Sequence, residues 1–108
     1  MCIYKISEIA ERIKPIAKKY GIEKVYLFGS YARGEATEDS DIDLFICYKK
    51  LNGMFAIGGV YSDCESILNK NVDIVCERGI ESNLGDSCTA RLYENILKDR
   101  ILLYEQEL

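Results

Sequence analysis

Two aspartates stand two residues apart in a segment that has the alternation of a β-strand. Over residues 41–48, Asp41 and Asp43 alternate with isoleucine and leucine. Residues two apart on a strand point to the same face, with Cα atoms about 6.5–7 Å apart. Carboxylates this close repel each other, and divalent cations would remove that cost. The pair also fits a solvent-exposed strand start, because aspartate is common after a turn residue such as Ser40.

A third aspartate occupies a similar position in a second apolar segment. Asp73 lies in the stretch 71–77 between Val72 and Ile74, whose side chains we expect to face the core. If the two strands are neighbours, Asp73 reaches the same place as the first pair from the side. Three carboxylates at one place form the two-metal arrangement used for in-line phosphoryl transfer. Asp73 alone fits the end of an ordinary strand equally well.

A glycine–serine pair follows another apolar segment, residues 24–28. Gly29 would let the backbone approach a ligand closely, and the N–H groups of the helical turn that follows favour phosphate oxygens. Ser30 adds a hydroxyl donor, and Arg33 could reach an oxygen of a triphosphate. Glycine–serine pairs are also common in plain turns, and Arg33 also fits a solvent-exposed helix face. The pair indicates a phosphate-binding turn only in combination with the aspartates.

Helices alternate with these strands along the chain. The predicted elements, in order, are a helix over 6–20, strands over 24–28 and 41–48, a helix ending near residue 70, a strand over 71–77, a loop over 77–86, a helix over 87–98 and an edge strand over 101–104. We expect Pro15 to kink the first helix rather than end it, because the apolar pattern continues past it. The start of the second helix stays open, because Gly58 and Gly59 oppose a helix there, whereas residues 62–65 have the form of a capping box.

This order of elements predicts an α/β fold. We expect a two-layer domain in which helices pack on a small mixed sheet of three or four strands. The length of 108 residues predicts a single domain over residues 1–108.

The composition excludes several classes of function. The chain has no histidine, which excludes Ser-His and Cys-His nucleophilic sites. Its five cysteines form no C-x-x-C pair, so neither a disulfide framework nor a zinc site is predicted, and we expect a cytoplasmic protein. A net charge of −4 without a basic block argues against binding to a long nucleic acid. No apolar run approaches the length of a membrane span.

The motifs in combination resemble the signature of the DNA polymerase beta-like nucleotidyltransferase superfamily. The shared features are the Gly-Ser pair, the eleven-residue step from Ser30 to Asp41, the Asp-Ile-Asp triplet and the later Val-Asp-Ile. More narrowly, the sequence is similar to the minimal nucleotidyltransferases of bacteria and archaea, over roughly residues 6–77.

The resemblance implies a role for each motif. Gly29 and Ser30, with Arg33, would hold the triphosphate of ATP. The aspartates would hold two Mg²⁺ ions, and the third would also help to activate the attacking hydroxyl. The implied metal ligands and catalytic residues are Asp41, Asp43 and Asp73.

The resemblance also implies a partner. Minimal nucleotidyltransferases are often paired with a small helical protein of the HEPN type, and several pairs are toxin–antitoxin modules. The implied activity is transfer of AMP from ATP to a tyrosine of that partner, with release of pyrophosphate. Two alternatives remain: a non-catalytic module that masks its partner, and a transferase that acts on a small molecule such as an aminoglycoside. The edge strand over 101–104 would also allow homo- or hetero-oligomers.

Overall fold

The protein folds as a mixed sheet flanked by helices. The computed structural model describes residues 4–50, 56–77, 85 and 87–106. The elements are helix α1 (Ile6–Tyr20), strand β1 (Lys24–Phe28), helix α2 (Gly29–Arg33), strand β2 (Ile42–Cys47), helix α3 (Ala56–Leu68), strand β3 (Val72–Cys76), helix α4 (Ser87–Asp99) and strand β4 (Ile101–Glu105). The strand order is β3-β2-β1-β4. Strand β1 pairs antiparallel with β2 and β4, and β2 pairs parallel with β3. The predicted α/β class with a small mixed sheet is confirmed.

Side-chain alternation along β2 separates the two faces of the sheet. Ile42, Leu44 and Ile46 join the main core beneath α1 and α3. Phe45 points to the other face and packs with Ile96 of α4. Because side chains two apart share a face, Asp43 belongs to the face of Phe45. Strand β2 is therefore buried on both faces, and the carboxylate of Asp43 lies close to the start of the strand.

The first helix forms as the apolar spacing predicts. Ile9 and Ile13 are fully buried, and the helix continues through Pro15 without a break. It ends at Gly21, whose left-handed backbone (φ 76°) lets its N–H donate to a carbonyl of the last turn. A residue with a side chain would be strained there, so glycine determines where the chain turns into β1.

The second long helix corrects one prediction. Residues 62–65 lie inside α3 rather than at its start, so the capping-box interpretation is wrong. The helix is already present at Ala56, which follows residues outside the described ranges, and it ends at Leu68. Burial of its apolar side against α1 outweighs the low helix propensity of two glycines.

Gly59 allows the close approach of α3 to α1. A Cβ on this residue would lie 3.0 Å from Cζ of Tyr20. The Tyr20 hydroxyl donates to the Asp63 carboxylate at 2.8 Å, and Lys19 pairs with the same carboxylate at 3.1 Å. The glycine that argued against a helix in the sequence is thus explained by packing between helices.

The C-terminal elements agree with their predicted ranges. Helix α4 covers part of the second face, and β4 forms an edge of the sheet beside β1. The loop predicted over 77–86 lies outside the described residues, apart from residues 77 and 85. None of the helices in the described ranges combines the length and apolar composition that crossing a membrane requires.

Candidate active site

Two of the three aspartates are direct neighbours across parallel strands. Asp43 of β2 stands opposite Asp73 of β3 in the register of the sheet. On its other side, Asp43 stands opposite Phe28, the last residue of β1. Asp43 is half-buried and Asp73 is exposed. The condition under which Asp73 can reach the first pair, that the two acidic strands are neighbours, is therefore met.

The glycine of the Gly-Ser pair lies against Asp43. Gly29 has φ +75°, and a Cβ added to it would collide with Oδ2 of Asp43 and lie 3.0 Å from its Cγ. The Gly29 backbone and the Asp43 carboxylate are therefore so close that no side chain fits between them. Since Ser30 follows directly in α2, the turn and the acidic pair form one site.

The site concentrates negative charge. The pKa of Asp43 is raised from 3.8 to about 6, first by burial and then by the charges of Asp73 and Asp41 and a hydrogen bond with Asp73. The positive charge of Arg33 acts in the opposite direction and lowers this pKa. Asp73 and Asp41 are thus close enough to disfavour the ionised form of Asp43, and a cation would relieve this.

The donor set fits a hard divalent cation that arrives with its substrate. Within the described ranges, no group of three or more acidic or cysteine side chains is arranged as a ready-made metal cage. Mg²⁺ is commonly bound by one or two carboxylates together with substrate phosphates and water, so it needs no such cage. The carboxylate oxygens of neighbouring strands are the donors such a cation requires.

Arg33 lies beside the site and has protein partners. Its guanidinium donates to Glu35 at 2.7 Å and to Asp99, the last residue of α4, at 3.0 Å. About half of its side chain is exposed. Asp99 is a residue that sequence reasoning missed. No local signal could have revealed it, because the contact joins residues 66 positions apart.

A cleft of about 440 Å³ opens next to Asp41. Residues 38–41 form one wall, and residues 69–71 with Glu65 form the other. The Lys70 ammonium crosses between the walls and donates to the carbonyl oxygen of Glu38 at 2.7 Å. Sequence reasoning treated Lys70 only as the end of a helix. Its place three residues before Asp73 was the available signal.

Comparison with known proteins identifies the family. The family model for polymerase beta nucleotidyltransferases matches residues 11–107. The chain belongs to this family. The domain is a nucleotidyltransferase, and its resemblance to the minimal nucleotidyltransferases is confirmed.

Individual relatives of this nucleotidyltransferase are of similar size. A protein of Methanocaldococcus jannaschii, provisionally named a protein adenylyltransferase, is 33% identical over 97 residues, which is 90% of each chain. The protein adenylyltransferase MntA of Thermococcus cleftensis is 30% identical over 71 residues, 66% of this chain and 72% of that one.

A solved structure shares the fold. The complex of a tri-AMPylated Shewanella oneidensis HEPN toxin with its MNT antitoxin contains a chain that matches with a TM-score of 0.58. The match covers 94% of this chain and 71% of that one. At 20% identity this likeness concerns the fold alone.

Proposed function

We propose that this nucleotidyltransferase moves AMP from ATP to a tyrosine hydroxyl of a small helical HEPN-type protein and thereby acts as its antitoxin. The acceptor oxygen would form a bond to the α-phosphorus as the bond to the leaving oxygen breaks. The products would be the adenylylated tyrosine and pyrophosphate, and the hydroxyl proton would leave to a base or to water. We further propose that the whole activity resides in residues 1–108, in the cytoplasm.

One observation carries the chemistry of this proposal. Asp43 and Asp73 stand in register on parallel strands, and the backbone of Gly29 lies against the first of them. Neighbouring carboxylates that raise the pKa of a half-buried aspartate such as Asp43, without a structural benefit, are typical of functional sites. The Gly-Ser turn lies beside them, and its backbone N–H groups would bind phosphate oxygens.

Each residue has a task in the proposed reaction. Two Mg²⁺ ions held by Asp41, Asp43 and Asp73 would offset charge on the attacking and leaving oxygens. The backbone at Gly29 and the Ser30 hydroxyl would orient the triphosphate. Asp73 is exposed, so it lies where an incoming hydroxyl can reach it.

Arg33 would exchange its present partners for the triphosphate. Both partners are carboxylates that each accept one hydrogen bond, and the same guanidinium donors can bind phosphate oxygens. The exposed pair with Glu35 contributes little to stability, about 0–1 kcal/mol, so releasing that partner costs little.

The choice of acceptor is supported by the relatives. Both are named protein adenylyltransferases, and the related fold from Shewanella occurs in a complex with an AMPylated HEPN toxin. The present chain covers most of the length of both relatives, so the same acceptor class is the simplest expectation. Transfer to a small molecule such as an aminoglycoside is the less supported alternative.

A labelling experiment tests the proposal. The purified chain is incubated with Mg²⁺, α-labelled ATP and the product of its neighbouring gene, which the proposal expects to be a HEPN-type protein. Label should appear on a tyrosine of the partner, and Asp43→Asn should abolish it. Glu11→Gln removes the same charge from an exposed position of α1 and should keep the rate within about twofold. No label on the partner, or label that survives Asp43→Asn, contradicts the proposal.

A second assay separates catalysis from masking. The chain is co-expressed with its partner, and relief of the partner's toxicity is scored. If Asp43→Ala still protects cells fully, the non-catalytic alternative is correct, because the chain then neutralises its partner by binding alone.

A further inference from the structure

The three aspartates of the site are held by different means. Asp43 lies inside β2, which is hydrogen-bonded to strands on both sides, and Asp73 lies inside β3. Asp41 precedes β2 and is exposed, so no strand pairing fixes its backbone. Its position depends on the connection that leads from α2 into β2.

The hydrogen bonds of that connection join mainly its own residues. The Thr37 N–H donates to Oγ of Ser40 at 2.8 Å, and the Ser40 N–H donates back to the Thr37 carbonyl at 3.1 Å. These bonds shape a turn but do not attach it to the rest of the fold. Among the described residues, the one hydrogen bond that ties residues 36–40 to another part of the chain comes from Lys70 to the Glu38 carbonyl.

Lys70 begins the short segment that leads to the third aspartate. Its neighbour Asn71 accepts a hydrogen bond from the Ile42 N–H at 3.1 Å, at the entrance of β2. Lys70 and Asn71 therefore hold the chain on either side of Asp41. Asp73 lies two residues after Asn71. The ammonium of Lys70 also brings a positive charge into the cleft that Asp41 lines.

We propose that Lys70 is a positioning residue for nucleotidyl transfer: its hydrogen bond to the Glu38 carbonyl holds Asp41 beside Asp43 and Asp73. This inference rests on the proposed function, because it concerns the carboxylates that would hold the divalent cations. Without the bond, repulsion from the other two carboxylates moves Asp41 outward, and its segment must be ordered again whenever a cation binds.

Three variants test this role. Lys70→Met removes the donor and keeps the aliphatic length, whereas Lys70→Arg keeps both charge and donor. Lys49→Met is the matched control, because it removes the same charge from an exposed residue beyond the other end of β2. Melting temperature is measured for all three.

Two measurements report position and cation binding without relying on activity. Amide hydrogen exchange at Ser40 and Ile42, whose N–H groups are hydrogen-bonded on either side of Asp41, should be roughly three- to tenfold faster in Lys70→Met, as loss of one hydrogen bond implies. Mn²⁺ affinity, measured by electron paramagnetic resonance with a non-hydrolysable ATP analogue, should fall by a similar factor. Lys70→Arg should restore most of both effects, and Lys49→Met should change neither.

The results distinguish this inference from the proposed function. Unchanged exchange or unchanged Mn²⁺ affinity in Lys70→Met overturns the positioning role, as does an equal change in Lys49→Met or no Mn²⁺ binding by the wild-type chain. A fall in affinity that merely follows a large fall in melting temperature also overturns it. If these differences appear but no AMP is transferred, Lys70 keeps its role and the proposed acceptor chemistry is refuted instead.

Discussion

Replacing Gly29 by alanine should disable the site while leaving the fold largely intact. Two effects act at this position. The backbone has φ +75°, which strains any residue with a Cβ, and the added methyl group would collide with the carboxylate of Asp43. The first effect concerns stability and the second concerns the position of a reacting group.

The magnitudes of these effects can be separated. A non-glycine residue in the left-handed region costs about 1–2 kcal/mol. To regain ordinary contact distances, the Asp43 carboxylate must then move by roughly 1 Å. A displacement of about 1 Å at a reacting group can reduce a rate by about 100-fold, equivalent to about 2.7 kcal/mol in the barrier.

Gly34 provides a matched control. It has the same φ of +75°, but a Cβ there would meet nothing within 4 Å. Gly34→Ala should therefore lose the same 1–2 kcal/mol of stability and keep its activity within about threefold, because only the strain is shared.

The assay compares the two variants directly. Urea unfolding gives the free energy of unfolding, and initial rates of AMP transfer to the partner give kcat/KM. The reasoning predicts similar losses of stability and a difference in rate of about 100-fold. Equal rates in the two variants would refute it, since the collision with Asp43 would then have no catalytic consequence.

Three further perturbations follow from the same structure. Because the pKa of Asp43 is raised from 3.8 to about 6, the metal-free folded chain retains a proton that the unfolded chain releases, so stability falls as pH rises through this window. After allowance for solvent screening the fall is about 1–2 kcal/mol, and urea unfolding of Asp43→Asn should lack it; parallel profiles would contradict this. Gly58→Ala should raise the free energy of unfolding by about 0.5–1 kcal/mol, because a Cβ there meets nothing, whereas Gly59→Ala should lower it by displacing Tyr20. Thermal unfolding that ranks these two alanines in the reverse order would refute the packing explanation. Arg33→Gln should raise KM for ATP about tenfold with little change in kcat, measured by steady-state kinetics. An unchanged KM would contradict a role of Arg33 in ATP binding and would limit it to its contact with Asp99 of α4.

Local signals in the sequence were sufficient wherever the backbone itself decides the structure. The end of α1 follows from Gly21, since only glycine adopts the left-handed cap without strain. The strand β2 follows from alternation, because side chains two apart share a face and Ile42, Leu44 and Ile46 fill the core on one of them. The acidic pair at residues 41 and 43 was visible for the same reason.

Tertiary contacts decided what local signals could not. The sequence suggested a helix start at residues 62–65, but packing of α3 on α1 extends the helix back to Ala56 through two glycines. The contacts of Arg33 with Asp99 and of Lys70 with Glu38 join distant parts of the chain. Side chains of these types carry no indication of their partners, because an exposed charge can pair with many neighbours at similar cost.

The sequence by itself determined the ingredients of the site: a glycine–serine turn, a spaced pair of aspartates and a third aspartate in an apolar segment. Only the tertiary structure decided that β2 and β3 are parallel neighbours in the register that sets Asp43 opposite Asp73. It also decided that Gly29 lies against that pair. The physical reason is that spacing along a strand is fixed by covalent geometry, whereas register between strands is set by how both faces of the sheet are buried.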